Sequence, residues 1–327
     1  MAWIHRFVRQ NSLLLLVVAA AIGCGDSVMF GSGQTGTAGG GTGGAGGGPP
    51  VGTTDRVDLL LTIDNSRSMA DKQEILSSAV PALIGSLTNP PCVDAGGMPA
   101  PNQPSSPTAS CPASTSRVFP PVRDLHVGVI STSIGDHGGD VCPTMDPPTA
   151  NDDRGRLIFR APGGGSVMTY DDLGFLAWDP GGELQPPGES SAQALTDDLR
   201  AMVLGAGQQG CGFEAPLESW YRFLVDPDPY LTIEEVDGRA EMNGTDDRIL
   251  QQRQDFLRPD SLLVIMMLSD ENDCSIRDGS QYFYVAKVQS GSGPYHLPRA
   301  QITCDSDPND PCCRSCGQSD DGCPPKG

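Results

Sequence analysis

The run Val57-Asp58-Leu59-Leu60-Leu61-Thr62-Ile63 constrains this chain most: it is nearly continuous apolar sequence of strand length and stops abruptly at Asp64-Asn65-Ser66-Arg67-Ser68. A strand that is apolar at almost every position, rather than at alternate ones, needs cover on both faces. It therefore belongs in the middle of a sheet flanked by helices. A second such run, Ser261 to Ser269, is the most apolar in the chain and ends at Asp270-Glu271-Asn272-Asp273. Leu125 to Ser131 is a third strand by its β-branched, alternating pattern, and His126 within it reads as a packed histidine rather than a ligand.

Helical spacing separates these runs. Leu76, Val80, Leu83 and Leu87 make one apolar face of a helix starting near Asp71, with Pro81 expected to kink it or end it early. Ala192 to Leu204 reads as a helix, and Pro216 opens another with Leu217, Trp220, Tyr221 and Leu224 on one face. A short strand is expected at Arg156 to Arg160, and a short helix around Arg248 to Phe256 in an otherwise polar, acidic stretch. Strands alternating with helices imply right-handed crossovers and an α/β fold with a doubly wound, mostly parallel sheet. Long irregular insertions interrupt it. The main one, 89–121, is rich in Pro, Ser and Ala and is expected to be closed by a Cys92 to Cys111 disulfide.

The first residues read as an export signal over 1–23, with His5, Arg6 and Arg9 before an apolar segment from Leu13 to Ile22 that is too short to span a bilayer comfortably. Ala21-Ile22-Gly23-Cys24 resembles a bacterial lipobox, which implies lipidation of Cys24; Ala21 stands where Leu is commoner. An ordinary cleaved signal is the alternative. Residues 24–54 form a Gly-rich linker with a random-coil reach of roughly 25 Å for its central twenty or so residues. Of eleven cysteines, assigning Cys24 to the anchor leaves ten, an even number suited to disulfides in an oxidising compartment. The folded domain is expected over 55–300, followed by a cysteine-rich tail over 301–327 whose Cys313-x-x-Cys316 formally allows a zinc knuckle, although export favours disulfides.

The formal charge of −20, from 41 acidic against 21 basic residues, makes nucleic acid an unsuitable partner and an anionic lipid surface a repulsive one. Attachment to a membrane is therefore expected through the lipid anchor alone.

In an open parallel sheet the carboxyl ends of the strands share one edge, so the two acidic clusters should meet there. Carboxylates and hydroxyls with no interleaved histidine or thiol make a hard-oxygen site for Mg²⁺, Mn²⁺ or Ca²⁺ rather than zinc. The bland alternative is a pair of ordinary loop acids, with Asp64 and Ser66 as turn or cap residues. Asp64-x-Ser66-x-Ser68 after an apolar strand, with Ser269-Asp270 after a later one, resembles the metal-ion-dependent adhesion site of von Willebrand factor A domains. The similarity covers roughly Asp55 to Lys287. It implies Ser66 and Ser68 as direct ligands, with Asp64 and Asp270 acting through water or hydrogen bonds. The family's threonine is missing from the loop before the Pro216 helix, Gly210-Cys211-Gly212-Phe213-Glu214, where Glu214 stands as a substitute ligand or as a complement to the positive helix end. Glu271 and Asp273 read as solvated. The family's last strand and helix have no counterpart in the remaining sequence, so a trimmed fold or an incomplete product is expected.

In layout the chain also resembles lipoproteins carrying such a domain in predatory and social deltaproteobacteria. The expected function is that of a non-enzymatic binding module for a protein or cell-envelope ligand, held in the bacterial cell envelope, with the outer membrane as the expected site. A metal-assisted hydrolase using Glu214, Glu271 or Asp273 as base is one alternative. A structural protein whose metal only stabilises the fold is the other.

Overall fold

The computed structural model describes residues 55–142, 152–211 and 213–287, the backbone of 16–19, 289–290 and 293–294, and residues 303, 306–307, 310–313 and 322–323. Cys24 and the Gly-rich linker lie outside the described residues.

The elements in chain order are β1 (Arg56–Ile63), α1 (Ala70–Thr88), β2 (Asp124–Ser131), β3 (Phe175–Trp178), α2 (Ala192–Gly205), α3 (Pro216–Leu224), β4 (Tyr230–Val236), β5 (Arg239–Thr245), α4 (Asp247–Phe256) and β6 (Leu262–Leu268). The main sheet runs β6-β1-β2-β3, with the backbone of Leu16–Ala19 parallel to β6 on its outer side. That segment falls inside the apolar run read as an export signal; an extended apolar chain is well suited to an otherwise open sheet edge.

β6, β1 and β2 are parallel. β3 pairs antiparallel with β2, so the sheet is mixed, with its other pairings parallel. With only four residues, Phe175-Leu176-Ala177-Trp178, β3 is too short to carry a period in the sequence.

Alternate residues of β1 enter two apolar layers. Leu59, Leu61 and Ile63 pack with Val80 and Ile84 of α1 and Leu195, Leu199 and Met202 of α2. Leu60 faces the other way, toward Phe223 of α3 and Ile249 and Phe256 of α4. Both faces are thus covered, as the unbroken apolar character of β1 requires.

α1 continues through Pro81 to Thr88 rather than stopping early. Pro81 is exposed, while Val80 and Ile84 are fully buried. Tertiary packing of that face outweighs one missing backbone hydrogen bond. The strand expected at Arg156 to Arg160 reduces to Arg160–Ala161, paired with Gly165–Ser166. Ile158 N donates to Val129 O (2.9 Å), an isolated bond that does not extend into a ladder.

The stretch between α3 and α4 holds a polar antiparallel hairpin, β4–β5, in addition to the expected helix. Its turn carries Asp237 and Gly238, both at positive φ (49° and 74°), which is the chemistry of a tight hairpin. Cys92 is bonded to Cys111 across the 89–121 insertion, Cys142 to Cys211, and Cys312 to Cys323 in the tail. Among the described residues Cys274 is a free thiol. No helix among the described residues is long and apolar enough to cross a membrane.

Candidate metal centre at the carboxyl edge of the sheet

Strand register builds this site. Leu268 of β6 is level with Ile63 of β1, and Ile63 with Ser131 of β2, so the next residues, Ser269, Asp64 and Thr132, emerge side by side. Asp64 N donates to Leu268 O (2.9 Å) and Thr132 N to Ile63 O (3.1 Å), carrying the ladder one step past the strands.

Asp64 is fully buried and organises its surroundings. Its Oδ1 accepts from Ser66 N (2.9 Å) and its Oδ2 from Ser269 Oγ (2.8 Å). Gln73 Nε2 clamps the Asp64 carbonyl (2.9 Å) to that of Gly207 (2.8 Å), tying the first turn of α1 to the loop after α2. Ser68 Oγ donates to Asp270 Oδ1 (3.0 Å) and lies 2.9 Å from Ser66 Oγ. The residues singled out in the sequence therefore form a chain of contacts from Ser66 through Ser68 to Asp270, with Asp64 behind it. The hydroxyls lie toward solvent, with Asp64 buried beneath them.

Glu214 reaches the same place. It is only 1 % exposed; its Oε2 accepts from Thr132 Oγ1, and its Oε1 is buried without a hydrogen-bond partner. Burial, with the nearby charges of Asp64, Glu271 and Asp270, pushes its carboxyl up to about 8 against the hydrogen bond from Thr132. Two other side chains accept from the first amides of α3: Asp273 Oδ1 from Leu217 N (3.1 Å) and Ser275 Oγ from Glu218 N (2.9 Å). Asp273, read as merely solvated, is exposed and caps this helix. Cys274 N donates to Glu214 O (2.8 Å), joining the loop after β6 to the loop before α3.

Three participants were not singled out in the sequence. Thr132 supplies the hydroxyl beside Glu214, and its signal was its place one residue past a strand of fixed register. Asn65 is buried, its Oδ1 accepting from Ser133 Oγ (2.8 Å) and its carbonyl from Gly210 N (2.8 Å). Lys72 places Nζ 3.0 Å from Asp270 Oδ2 and 2.8 Å from Ser68 O, with Asp71 at 3.2 Å, and its hydrogen bonds to Asp270 and Asp71 raise the ammonium's affinity for its proton. A side-chain cation thus already sits at the acidic edge.

The donor set fits a hard divalent ion. Ser66 Oγ, Ser68 Oγ and Asp270 Oδ1 are hydroxyl and carboxylate oxygens joined at 2.9 and 3.0 Å, all of the kind that hard divalent ions take. Glu214 Oε1 is buried without a hydrogen-bond partner, and a cation that displaced the proton of this carboxyl would give it one.

Comparisons with protein-family models, with curated proteins and with solved structures return no match.

Proposed function

We propose that this chain is a lipid-anchored binding module of the bacterial cell envelope, built on a von Willebrand factor A-like domain that holds Mg²⁺, or Mn²⁺ in its place, at Asp64, Ser66, Ser68, Asp270 and Glu214. The observation that carries the reading is the buried Glu214 Oε1 without a hydrogen-bond partner, on a carboxyl that feels the charges of Asp64 and Asp270. Ser66 and Ser68 supply direct oxygens. Asp64 orients them through the Ser66 amide and Ser269, and Asp270 balances charge and accepts from Ser68. An ion held by these residues would supply an electrophilic point for an oxygen of a ligand's acidic side chain.

Glu214 tempers that last step. A third carboxylate lowers the net positive charge offered to an anionic ligand, so the neighbouring loops carry more of the recognition than the ion does. The ligand class is a protein or cell-envelope component, and the acidity of the chain argues against nucleic acid. Lipidation of Cys24 places the domain at a membrane, with the outer membrane preferred.

Manganese binding to chelator-stripped protein, followed by electron paramagnetic resonance, tests the site. The wild type is expected to bind one ion per chain and to melt at higher temperature with Mg²⁺. Ser68→Ala is expected to stay folded and lose both responses, and retention of wild-type affinity would sink the proposal. Cys24→Ser tests the anchor by release from the membrane fraction.

A further inference from the structure

A second group of metal-ligating side chains gathers at the start of α3. His137 belongs to the loop after β2, Glu218 to the first turn of α3, and Asp278 to the chain after β6. Their ligand atoms all fall within 4.8 Å of one another. His137 Nδ1 is 2.9 Å from Asp278 Oδ1 and 3.9 Å from Glu218 Oε1. The imidazole is only 1 % exposed; its Nε2 has no hydrogen-bond partner and its ring meets Phe213 edge-on. The polar engagement of this buried ring is therefore through Nδ1, which is aimed between the carboxylates.

Each member is fixed from behind. The His137 loop is tied down by the Cys142–Cys211 disulfide and by Asp140 N and Val141 N donating to Ala286 O (3.1 and 3.0 Å). Glu218 Oε2 accepts from Ile276 N (3.2 Å), and Asp278 Oδ1 from Tyr230 Oη (3.3 Å). Such outer partners hold metal ligands in place. Arg222, stacked 3.8 Å over the Tyr230 ring, is the nearby fixed positive charge. Burial and the adjacent Asp278 push Glu218 up to about 9, the behaviour of two carboxylates forced to share a proton.

We propose that His137 Nδ1, Glu218 and Asp278 form a second divalent-metal site, of the borderline nitrogen and oxygen type that takes Zn²⁺, with its open coordination position facing the cavity beside α3. A divalent ion meets both carboxylates and the imidazole lone pair at once, where a shared proton satisfies only one contact at a time. Three protein ligands with a fourth position left open are the pattern of a zinc site that receives a small ligand. Glu218 and Asp278 line a cavity of about 590 Å³ whose wall includes Trp220, Tyr221, Met242 and Arg277. Its occupant would be a small molecule with one metal-binding anionic or carbonyl oxygen near Arg277 and an apolar body against the aromatic rings. This site differs in ligand chemistry from the all-oxygen centre and is independent of it.

The test uses the full chain with its disulfides intact, purified in detergent and stripped of metal. Zn²⁺ titration is expected to load one ion per chain, unchanged in Ser68→Ala and weakened at least tenfold in His137→Gln and Asp278→Asn. Glu218→Gln, which keeps side-chain volume, guards against a folding artefact: it should melt like the stripped wild type and lose the Zn²⁺-induced rise in melting temperature. Co²⁺ in the same site should give visible bands without thiolate-to-metal charge transfer. Absence of Zn²⁺ binding, wild-type affinity in His137→Gln and Asp278→Asn, or a thiolate band each overturns the proposal. Loss of Mg²⁺ binding in Ser68→Ala with Zn²⁺ binding intact separates this site from the first.

Discussion

The Thr132 hydroxyl donates to Oε2 of Glu214 and leaves Oε1 of the same carboxylate buried without a partner. Folding raises the Glu214 carboxyl from 4.5 to about 8, so between these values the folded protein holds a proton that the unfolded chain releases. The corresponding stability is fully present below about 4.5 and is lost as pH rises through about 8. Metal affinity should move the opposite way and grow as Glu214 loses its proton. Glu218 contributes a slope of the same sign up to about 9, so the measurement is a difference. Denaturation with chelator at several pH values should show a shallower loss of stability toward alkaline pH in Glu214→Gln than in the wild type. Equal slopes would mean that Glu214 titrates normally.

Lys72 competes with any ion at Asp270. Its ammonium bridges Asp270, Asp71 and the Ser68 carbonyl, and Lys72→Met removes that positive charge while keeping the length of the side chain. Because the pair is partly open to solvent, the expected gain in Mn²⁺ affinity is about two- to fivefold at low salt, shrinking as salt is added. Unchanged or weaker binding would indicate that Lys72 supports the site instead.

Gly210 admits the Asn65 and Ser133 side chains against the backbone. A Cβ there would stand 2.1 Å from Asn65 Oδ1 and 2.6 Å from Ser133 Oγ. Those atoms also bond to each other, and Ser133 Oγ accepts from Cys211 N (2.8 Å), so they cannot retreat freely. Gly210→Ala is expected to cost about 1–3 kcal/mol in urea unfolding and to weaken Mn²⁺ binding through Asn65, the neighbour of Asp64. Unaltered stability would show that the loop yields.

At the opposite end of the sheet, Asp58 is fully buried in the central strand and satisfied by Arg258, whose Nε (2.9 Å) and backbone N (2.9 Å) donate to it, and by Ser261 Oγ. Arg258 also bonds Asp124 and the Val57 carbonyl, so one guanidinium joins β1, β2 and the approach to β6. Arg258→Met strands a buried carboxylate and is expected to lower stability by about 3–5 kcal/mol with little effect on metal binding. Pairing it with Asp58→Asn should recover part of the loss in a double-mutant cycle.

The physical reason for what could be read in advance is period and length. β1 and β6 are nearly continuous apolar runs, β2 alternates, and α1, α2 and α3 repeat at helical spacing over two turns or more. β3 was missed because four apolar residues carry no period, and its antiparallel direction depends on the chain's return path. The β4–β5 hairpin was missed because both its strands are largely exposed and carry no core pattern, although Asp237-Gly238 was a usable turn signal. α1 runs past Pro81 to Thr88, because the packing behind the helix, which has no signature at the proline itself, outweighs the lost hydrogen bond.

The sequence by itself determined that two acidic, hydroxyl-rich clusters follow two apolar strands. Asp64, Ser66, Ser68 and Asp270 were therefore legible as neighbours, since parallel strands end on one edge. Only the tertiary structure decided that Ser269 serves Asp64, that Thr132 stands beside Glu214, and that Lys72 occupies the Asp270 side. It alone brought His137 to Asp278 across 141 residues of chain. Local spacing encodes which element a residue joins, but contacts between loops depend on sheet register and on where each connection returns, and neither is written in any short stretch of sequence.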